Sequence, residues 1–280
     1  GGAPGESRGA AGGIPNQMED RREDIRPCIC CHNGCFNLAH YKGHANAQSF
    51  FDTRGMARCA INPQTMQSRK YKIEKASKEK SIAVVGGGIA GMEAAIVCAR
   101  RGHQVTLYEK TGTLGGVFQA AAAPSFKEKD RELLAWYSRE LGKYKNLTVK
   151  LNTAVKNLDS LKADEVIIAT GAKANTIPVP GKELGIQAVD YLLGRKSVGE
   201  NVVVVGGGLT GCEIAYDLYL QGKKPTIVEM QNDLICGAGI CLANSSYLRD
   251  FFKTNQVPVL LETGLKKIEK GSVVVAAKDG

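Results

Sequence analysis

Long apolar runs are missing from this 280-residue sequence. No stretch of about 18 consecutive apolar residues occurs, so the sequence predicts no membrane-spanning helix. The opening stretch GGAPGESRGAAGGIPNQ also lacks the basic-then-apolar order of a secretory signal. We therefore expect a cytoplasmic protein.

A concentrated block of one charge is absent as well. The 37 Lys and Arg against 28 Asp and Glu give a net charge of +9, but the basic residues are spread along the chain. No recognisable nucleic-acid-binding module accompanies this charge. We expect neither nucleic acid nor membrane as a partner, because anionic dinucleotides account for the positive charge more simply.

Cysteine is plentiful, with nine residues, four of them within CICCHNGC at positions 28–35. In a reducing compartment, metal ligands, redox groups or small buried hydrophobes explain such residues better than disulfides do. Disulfides, a metal ion and an iron–sulfur cluster are the candidates for this motif.

The organisation of the chain follows from composition. Residues 1–17 are a low-complexity segment rich in Gly and Ala, 18–63 hold the cysteine cluster, and 64–80 are polar like a linker. A globular α/β pattern begins at Ser81 and contains an internal repeat. SIAVVGGGIAGMEAAIVCARRGHQVTLYEK and NVVVVGGGLTGCEIAYDLYLQGKKPTIVEM align with a constant offset of 120 residues.

Each repeat reads as strand, glycine turn, helix and second strand ending in Glu. Such a unit uses its first Gly for a tight turn, its second for close approach to a pyrophosphate, and its third for helix packing. The acidic residue, 18 positions after the third Gly in both copies, can accept hydrogen bonds from ribose hydroxyls. The alternative is a pair of tight packing turns. The repeat predicts two bound dinucleotides, with these residues at the sites: Gly86, Gly88, Gly91, Glu109; Gly206, Gly208, Gly211, Glu229.

Other segments have simpler predictions. FKEKDRELLAWYSRELGKY predicts a helix with a broad apolar face, and VIIATG predicts a buried strand followed by a polar crossing. LANSSYLRDFFKT predicts a helix opened by an Asn or Ser cap.

The motifs REDIRPCICCHNGC, CAINP, VVGGGIAGMEAA, YEKTGTLGG, VIIATGA and VVVVGGGLTGCEIA occur in this order. Over about residues 18–280 the sequence resembles the flavin and iron–sulfur oxidoreductases of the 2,4-dienoyl-CoA reductase and trimethylamine dehydrogenase type, which are related to old yellow enzyme. Family members look like three-part enzymes with an FMN barrel, a [4Fe–4S] cluster, and an FAD domain interrupted by a nicotinamide domain. Only the cluster segment and most of the two dinucleotide domains can be matched, so we expect a truncated chain.

The resemblance places the cluster ligands on Cys28, Cys31, Cys35 and Cys59 and leaves Cys30 over. Four cysteines are the usual ligands of a [4Fe–4S] cluster. Structural zinc in a four-cysteine site is the alternative.

The resemblance also implies an incomplete FAD-binding domain over 81–172 and a truncated NAD(P)-binding domain over 173–280. Within the first, Gly115 and Gly116 would pass close to FAD, and Thr170 and Gly171 would mark the crossing beside it. The fold class is therefore α/β, with two Rossmann-like domains of the FAD/NAD(P) type preceded by a cysteine-rich segment.

The implied function is electron transfer from NADH, or NADPH, through FAD to the cluster, and in the full-length enzyme to FMN and an activated C=C bond of a small-molecule substrate. No catalytic residue is predicted in this chain. The alternatives are an FAD-dependent pyridine-nucleotide:acceptor reductase of another kind, such as thioredoxin reductase or the glutamate synthase small subunit, and a catalytically incomplete nucleotide-binding fragment.

Overall fold

The computed structural model describes residues 21–37, 57–237 and 240–278. The predicted low-complexity segment 1–17 lies outside these ranges, as does the middle of the predicted cluster segment. The chain divides into two compact units. The first unit comprises Gly1–Cys30 and Ile61–Lys173, and the second comprises Cys31–Ala60 and Ala174–Gly280. The predicted boundaries at 63 and 80 stay predictions.

The described part of the first unit is built on four parallel strands in the spatial order β3-β2-β1-β4. Its elements follow the chain as β1 (Ser81–Val85), α1 (Ile89–Arg100), β2 (Gln104–Tyr108), α2 (Phe118–Ala121), α3 (Glu128–Leu141), β3 (Leu147–Lys150) and β4 (Glu165–Ile168). Short 3-10 turns occupy Arg22–Asp24 and Leu158–Ser160. The predicted strand–turn–helix–strand unit is confirmed.

The described part of the second unit repeats the beginning of this pattern. Its elements are α4 (Ala188–Leu192), β5 (Asn201–Val205), α5 (Leu209–Leu220), β6 (Lys224–Val228), α6 (Leu242–Thr254), β7 (Val259–Leu260), β8 (Thr263–Glu269) and β9 (Ser272–Ala277). β5, β6 and β7 form a parallel sheet, whereas β8 and β9 pair as an antiparallel hairpin. Two parallel sheets with flanking helices confirm the predicted α/β class.

The pairing register is the same in both units. Ser81 lies opposite Gln104 and Asn201 lies opposite Lys224, which is the same separation along the chain in each copy. Because a one-residue slip would turn every side chain to the other face, a shared register gives the two copies the same core positions. Leu107 on β2 and Ile227 on β6 are equivalent in this sense, and both are fully buried.

Helix α3 packs its apolar face into the core of the first unit. Leu133, Trp136, Tyr137 and Leu141 are buried, and Leu134 packs at the margin, as the apolar spacing predicts. Glu128 and Asp130 lie in its first turn, where their negative charge stabilises the helix by interacting with the positive end of the helix dipole.

The cap predicted for α6 was wrong. The N-cap residue is Cys241, and no side chain in the described part of the chain caps the helix there. Asn244 and Ser245 lie inside the first turn instead. The Cys241 N–H donates to Asn33 Oδ1 at 3.0 Å, so a tertiary contact takes part in how this helix begins.

No helix in the described ranges is both long enough and apolar enough to cross a lipid bilayer.

Replacement of Leu107 by Ala tests the core of the first unit. The variant should lower the free energy of unfolding by about 2–5 kcal/mol, because it removes buried methyl groups and leaves a cavity. Trp136, the only tryptophan of the chain, lies in this core and reports its unfolding in urea by fluorescence. Leu158→Ala is the matched control, since that leucine is 40% exposed, and it should change stability by less than about 1 kcal/mol. Equal losses in the two variants would contradict the assigned core.

Candidate functional site

The turn between β1 and α1 brings a helix directly onto the end of a strand. Gly86 adopts a φ of +112°, and its N–H donates to the Tyr108 carbonyl at 2.8 Å. A Cβ built on Gly91 would lie 1.8 Å from the Gly86 carbonyl oxygen. No side chain fits at Gly91, so the helix can start this close only because the residue is glycine.

Gly88 is the N-cap of α1 and faces open space. Its φ of −72° and ψ of 179° are available to any residue, and a Cβ there would meet nothing within 4 Å. No side chain of the described residues caps the helix at this point. The N–H groups of a first helical turn have no partner inside the helix and carry partial positive charge, which suits an anion. This end of α1 therefore has the open space and the free N–H groups that a phosphate group requires, and we call it the first phosphate cradle.

A second glycine turn lies against Gly88. The Gly115 N–H donates to the Gly87 carbonyl at 2.8 Å, and Gly88 and Gly115 form an isolated parallel bridge. A Cβ on Gly116 would lie 3.1 Å from the Gly88 Cα. The structure thus brings together three of the residues predicted to approach FAD.

The crossing after β4 closes the same edge of the sheet. A Cβ on Gly86 would lie 2.3 Å from the Ala169 carbonyl oxygen, so Ala169 packs against the first glycine. Thr170 and Gly171 follow Ala169 directly in the chain. Gly171 has a φ of +72°. The predicted residues of the first unit therefore meet at the carboxyl edge of its sheet, where open α/β sheets bind ligands.

Glu109 follows β2 at this edge and is buried. Its Oε2 accepts a hydrogen bond from the Gly87 N–H at 2.7 Å, and its Oε1 accepts from the Thr111 N–H and hydroxyl, both at 2.8 Å. Burial acts to raise the pKa of this carboxyl, but the hydrogen bonds from Thr111 and Gly87 outweigh it and hold the pKa below its usual range. Each carboxylate oxygen can accept two hydrogen bonds. Oε2 therefore keeps capacity for a ribose hydroxyl.

The second unit repeats the backbone geometry of the glycine turn. Gly206 has a φ of +104°, a Cβ on Gly211 would lie 1.8 Å from the Gly206 carbonyl oxygen, and a Cβ on Gly208 would meet nothing within 4 Å. Gly208 is the N-cap of α5, again without a side-chain cap among the described residues. The second unit has the same kind of phosphate cradle as the first.

Glu229 occupies the position of Glu109. Its Oε2 accepts from the Gly207 N–H at 2.5 Å and its Oε1 accepts from the Gln231 N–H at 2.8 Å. No hydroxyl matches that of Thr111 here, because the equivalent residue is Gln231. Both oxygens of Glu229 keep capacity for ribose hydroxyls.

Sequence reasoning missed the residues that pack against the middle glycine of each turn. Leu114 Cδ2 lies 2.7 Å from where a Cβ on Gly87 would be, and Leu234 Cδ2 lies 2.6 Å from that position on Gly207. The Ile235 N–H donates to the Gly207 carbonyl at 2.8 Å, as Gly115 does in the first unit. The signal was available, because these pairs keep the 120-residue offset of the repeat.

The predicted cluster ligands fall on both units. Cys28 belongs to the first unit, where the Cys30 N–H donates to its Sγ at 3.3 Å. Hydrogen bonds to the ligand sulfurs are a feature of protein-bound iron–sulfur clusters, so this contact suits a cluster ligand. Cys30 itself has a φ of +54°, and burial together with the nearby Cys28 raises the pKa of its thiol.

Cys31, Cys35 and Cys59 belong to the second unit. There the Arg58 N–H donates to the Gly34 carbonyl at 2.5 Å, and a Cβ on Gly34 would lie 2.7 Å from the Arg58 carbonyl oxygen. The segments that carry Cys35 and Cys59 are thus in backbone contact. Within residues 21–37, 57–237 and 240–278, no three His, Cys, Asp or Glu side chains are grouped closely enough to hold a metal ion. The ligand set stays a prediction.

Comparison with known proteins identifies the family to which the chain belongs. Residues 46–159 and 80–280 match the family model described as pyridine nucleotide-disulphide oxidoreductase.

Two curated relatives are similar over much of the chain. Cinnamate reductase of Clostridium sporogenes is 42% identical over 269 residues, which cover 93% of this chain and 38% of the relative. NADH oxidase of Thermoanaerobacter brockii is 39% identical over 227 residues, which cover 77% of this chain and 33% of the relative. The chain therefore spans between a third and two fifths of the length of these relatives.

A solved structure agrees with this similarity. A 2-naphthoyl-CoA reductase in complex with 2-naphthoyl-CoA superposes with a TM-score of 0.84 at 26% identity, covering 99% of this chain and 40% of that chain.

Two matched substitutions test the phosphate cradles. Gly88→Ala should weaken FAD binding at least about tenfold, because the new methyl group occupies the space of the pyrophosphate and costs hydrogen bonds to a charged group. It should change the free energy of unfolding by less than about 1 kcal/mol, since the methyl group meets no protein atom. Gly208→Ala should weaken nicotinamide-cofactor binding and spare FAD. Affinities for both cofactors can be measured by calorimetry, and the same loss of both in each variant would contradict separate cradles.

Proposed function

Because the chain belongs to the pyridine nucleotide-disulphide oxidoreductase family, we propose that it is the NADH-oxidising flavin and iron–sulfur module of a reductase that acts on an activated C=C bond. The family and the relatives confirm the resemblance to flavoprotein oxidoreductases of the 2,4-dienoyl-CoA reductase type, and with it an enzyme that binds FAD and NAD(P)H. The cluster, the direction of electron flow and the final acceptor belong to the proposal.

One observation carries it: the chain builds the same phosphate cradle twice, each with its own carboxylate. A hydride donor and a flavin both present a pyrophosphate and a ribose, so two equivalent cradles suit two different dinucleotides. The chemistry these groups would supply is hydride transfer from NADH to FAD, which takes up two electrons and a proton, and one-electron transfer at a [4Fe–4S] cluster. Gly88 and Gly208 leave room for the two pyrophosphates, and Glu109 and Glu229 orient the riboses.

A difference between the copies supports FAD in the first unit. Gly115 and Gly116 stand where the second unit has Ile235 and Cys236. Gly116 is exposed and lies against Gly88, whereas Gly115 is buried beneath Leu134 and Gln119. The exposed backbone of Gly116 extends the first cradle, which suits the longer contact that a tightly held flavin dinucleotide makes.

Four thiols form the proposed donor set of the cluster. Cys28, Cys31, Cys35 and Cys59 are ligands of the type and number that a [4Fe–4S] cluster takes. No disulfide joins any of the nine cysteines, all of which lie in the described ranges. Cysteines that form no disulfide agree with the proposed cytoplasmic location.

The final acceptor is proposed from the relatives. Cinnamate reductase and 2-naphthoyl-CoA reductase are named for substrates that are conjugated acids or thioesters. We assign this chain the corresponding role within a longer enzyme, where FMN would receive the electrons and a small-molecule substrate with an activated C=C bond would be reduced. Nucleic acid and membrane have no part in this proposal.

Metal analysis tests the cluster. Anaerobically purified protein should contain about four iron atoms and four acid-labile sulfides per chain. Cys59→Ser should abolish this content, because it removes a ligand, whereas Cys30→Ser should preserve it as the matched control. Stoichiometric zinc without visible absorbance would refute the cluster and support the structural zinc alternative.

The choice between NADH and NADPH depends on charge near Glu229. Lys223 precedes β6 and Lys224 is its first residue, so the strand runs about 16 Å from there to Glu229. Lys223 Nζ donates to the carbonyls of Val198 and Gly199, and Lys224 pairs with Glu200 at 2.6 Å. Neither lysine can neutralise Glu229 or bind a 2′-phosphate beside it.

NADH should therefore bind at least about tenfold more tightly than NADPH. The Glu229 carboxylate accepts from the 2′-hydroxyl of NADH, a hydrogen bond worth about 1.5–3 kcal/mol, but repels the 2′-phosphate of NADPH. Glu229→Ala should remove this preference, and Glu109→Ala, the equivalent change in the first unit, should retain it. Dissociation constants of both cofactors decide the matter: equal affinities in the unmodified protein would refute the assignment.

A further inference from the structure

A side chain from α6 holds the loop that packs against the second glycine turn. Arg249 Nη2 donates to the Leu234 carbonyl at 2.5 Å, and its Nε pairs with Asp233 Oδ2 at 3.0 Å. Leu234 packs on the middle glycine of the turn, and the Ile235 N–H donates to the carbonyl of that glycine. We infer that Arg249 is a positioning residue that fixes the 233–235 loop in the shape that the second phosphate cradle requires. The inference rests on the proposed function, which assigns the nicotinamide cofactor to this cradle.

Both units hold this carbonyl with a side-chain donor. In the first unit, Gln119 Nε2 donates to the Leu114 carbonyl at 2.7 Å. Leu114 and Leu234 occupy the same place in the repeat, and both pack on the middle glycine of their turn. The 120-residue offset places Gly239 opposite Gln119, and glycine has no side-chain donor. Arg249 supplies the hydrogen bond from a different helix instead. Two unrelated side chains on one carbonyl position indicate that the turn requires this carbonyl to be held.

Ile235 makes this support more important in the second unit. Its φ of +54° is unfavourable for a β-branched residue, whereas Gly115 adopts a positive φ at the same place without that cost. Strained backbone persists only where the surrounding structure holds it. The peptide group between Leu234 and Ile235 is bound on both sides, because Arg249 donates to its carbonyl and its N–H donates to Gly207. Arg249 therefore restrains the peptide group that sets the φ of Ile235.

The bond to the carbonyl matters more than the ion pair. Asp233 is 53% exposed and Arg249 is 29% exposed, and an ion pair in contact with water contributes little. Asp233 has a second contact, since its Oδ1 accepts from the Leu234 N–H at 2.7 Å. The guanidinium thus meets a carboxylate and a carbonyl along one edge, which the single ammonium of lysine cannot do with the same geometry.

Gly207 connects this loop to the groups proposed to bind the cofactor. Its N–H donates to Glu229 Oε2, on the carboxylate proposed for the ribose, and the next residue is Gly208, the N-cap of α5. A shift of the loop would therefore disturb the ribose carboxylate and the pyrophosphate space together. Groups that are already in place bind a ligand more tightly, because binding does not have to order them. Loss of Arg249 should weaken binding of the nicotinamide cofactor and spare FAD, whose proposed cradle lies in the first unit.

Four variants test this role by their dissociation constants for NADH, measured by calorimetry. Arg249→Met keeps the aliphatic stem but removes the donors, and it should weaken NADH binding at least about tenfold. Arg249→Lys should restore part of this loss and leave about a threefold weakening, since an ammonium can still bind the carbonyl. Asp233→Asn should stay within about twofold of the parent, because the exposed ion pair contributes little.

Lys223→Met is the matched control. Lys223 also donates to backbone carbonyls of the second unit, those of Val198 and Gly199, but it lies at the other end of β6 from the glycine turn. This variant removes the same charge and the same kind of hydrogen bond as Arg249→Met, and it should keep the parent affinity. An equal loss of NADH affinity in both variants would refute the role, because the effect would then not depend on the loop.

Hydrogen exchange separates positioning from loss of fold. In Arg249→Met, amide exchange should rise in peptides covering 230–237 and stay at the parent rate in β5. A rise throughout the second unit would refute a positioning role, since the variant would then have unfolded the unit.

The parent protein and Gly208→Ala distinguish failure of this role from failure of the proposed function. A parent that does not bind NADH, or a Gly208→Ala variant that binds NADH as tightly as the parent, refutes the nicotinamide assignment of the second cradle and this role with it. NADH binding that Gly208→Ala weakens and Arg249→Met leaves unchanged refutes the role of Arg249 alone.

Discussion

The contact on which both halves of this molecule depend is the approach of a helix to the end of a strand. In each unit, the third glycine of the turn leaves no room for a Cβ beside the carbonyl of the first. Any other residue would push the helix away and turn its first N–H groups from the carboxyl edge of the sheet. Close packing at Gly91 and Gly211 therefore sets the direction of the helix dipole, and with it the place where a phosphate can be held.

The carboxylate beside each turn is part of the same construction. Glu109 and Glu229 each accept a backbone N–H from the middle glycine and another from two residues further on. These bonds hold the carboxylate in place before any ribose arrives, so binding does not have to order it. At Glu109 the donors also hold the pKa below its usual range and so favour the charged form, which accepts from ribose hydroxyls.

Much of this could be predicted because the information is local. The glycines, the acidic residue and the register all follow from short periodic patterns, and the second copy showed that the first was not accidental. The cap of α6 was wrong because Asn33, far away in sequence, contacts the Cys241 N–H. The contacts of Arg26 with Ile61 and Glu93 were invisible for the same reason, since these partners come from distant segments. A sequence pattern predicts the structure of one element, but it does not predict which contacts a distant element makes with it.

The differences between the two copies are where a preference for a flavin or a nicotinamide dinucleotide can arise. The parts they share, the glycine turn and its carboxylate, suit the pyrophosphate and ribose that both kinds of dinucleotide carry. A choice between the two kinds must come from positions where the repeat is broken, such as Thr111 against Gln231 and Gly115 against Ile235. Ile235 keeps a φ of +54°, costly for a β-branched residue, and still donates to Gly207 as Gly115 does to Gly87. The hydrogen bond that closes the turn is thus common to both copies, whereas the residues around it differ. A shared turn with different neighbours would allow one kind of fold unit to hold two different cofactors in one chain.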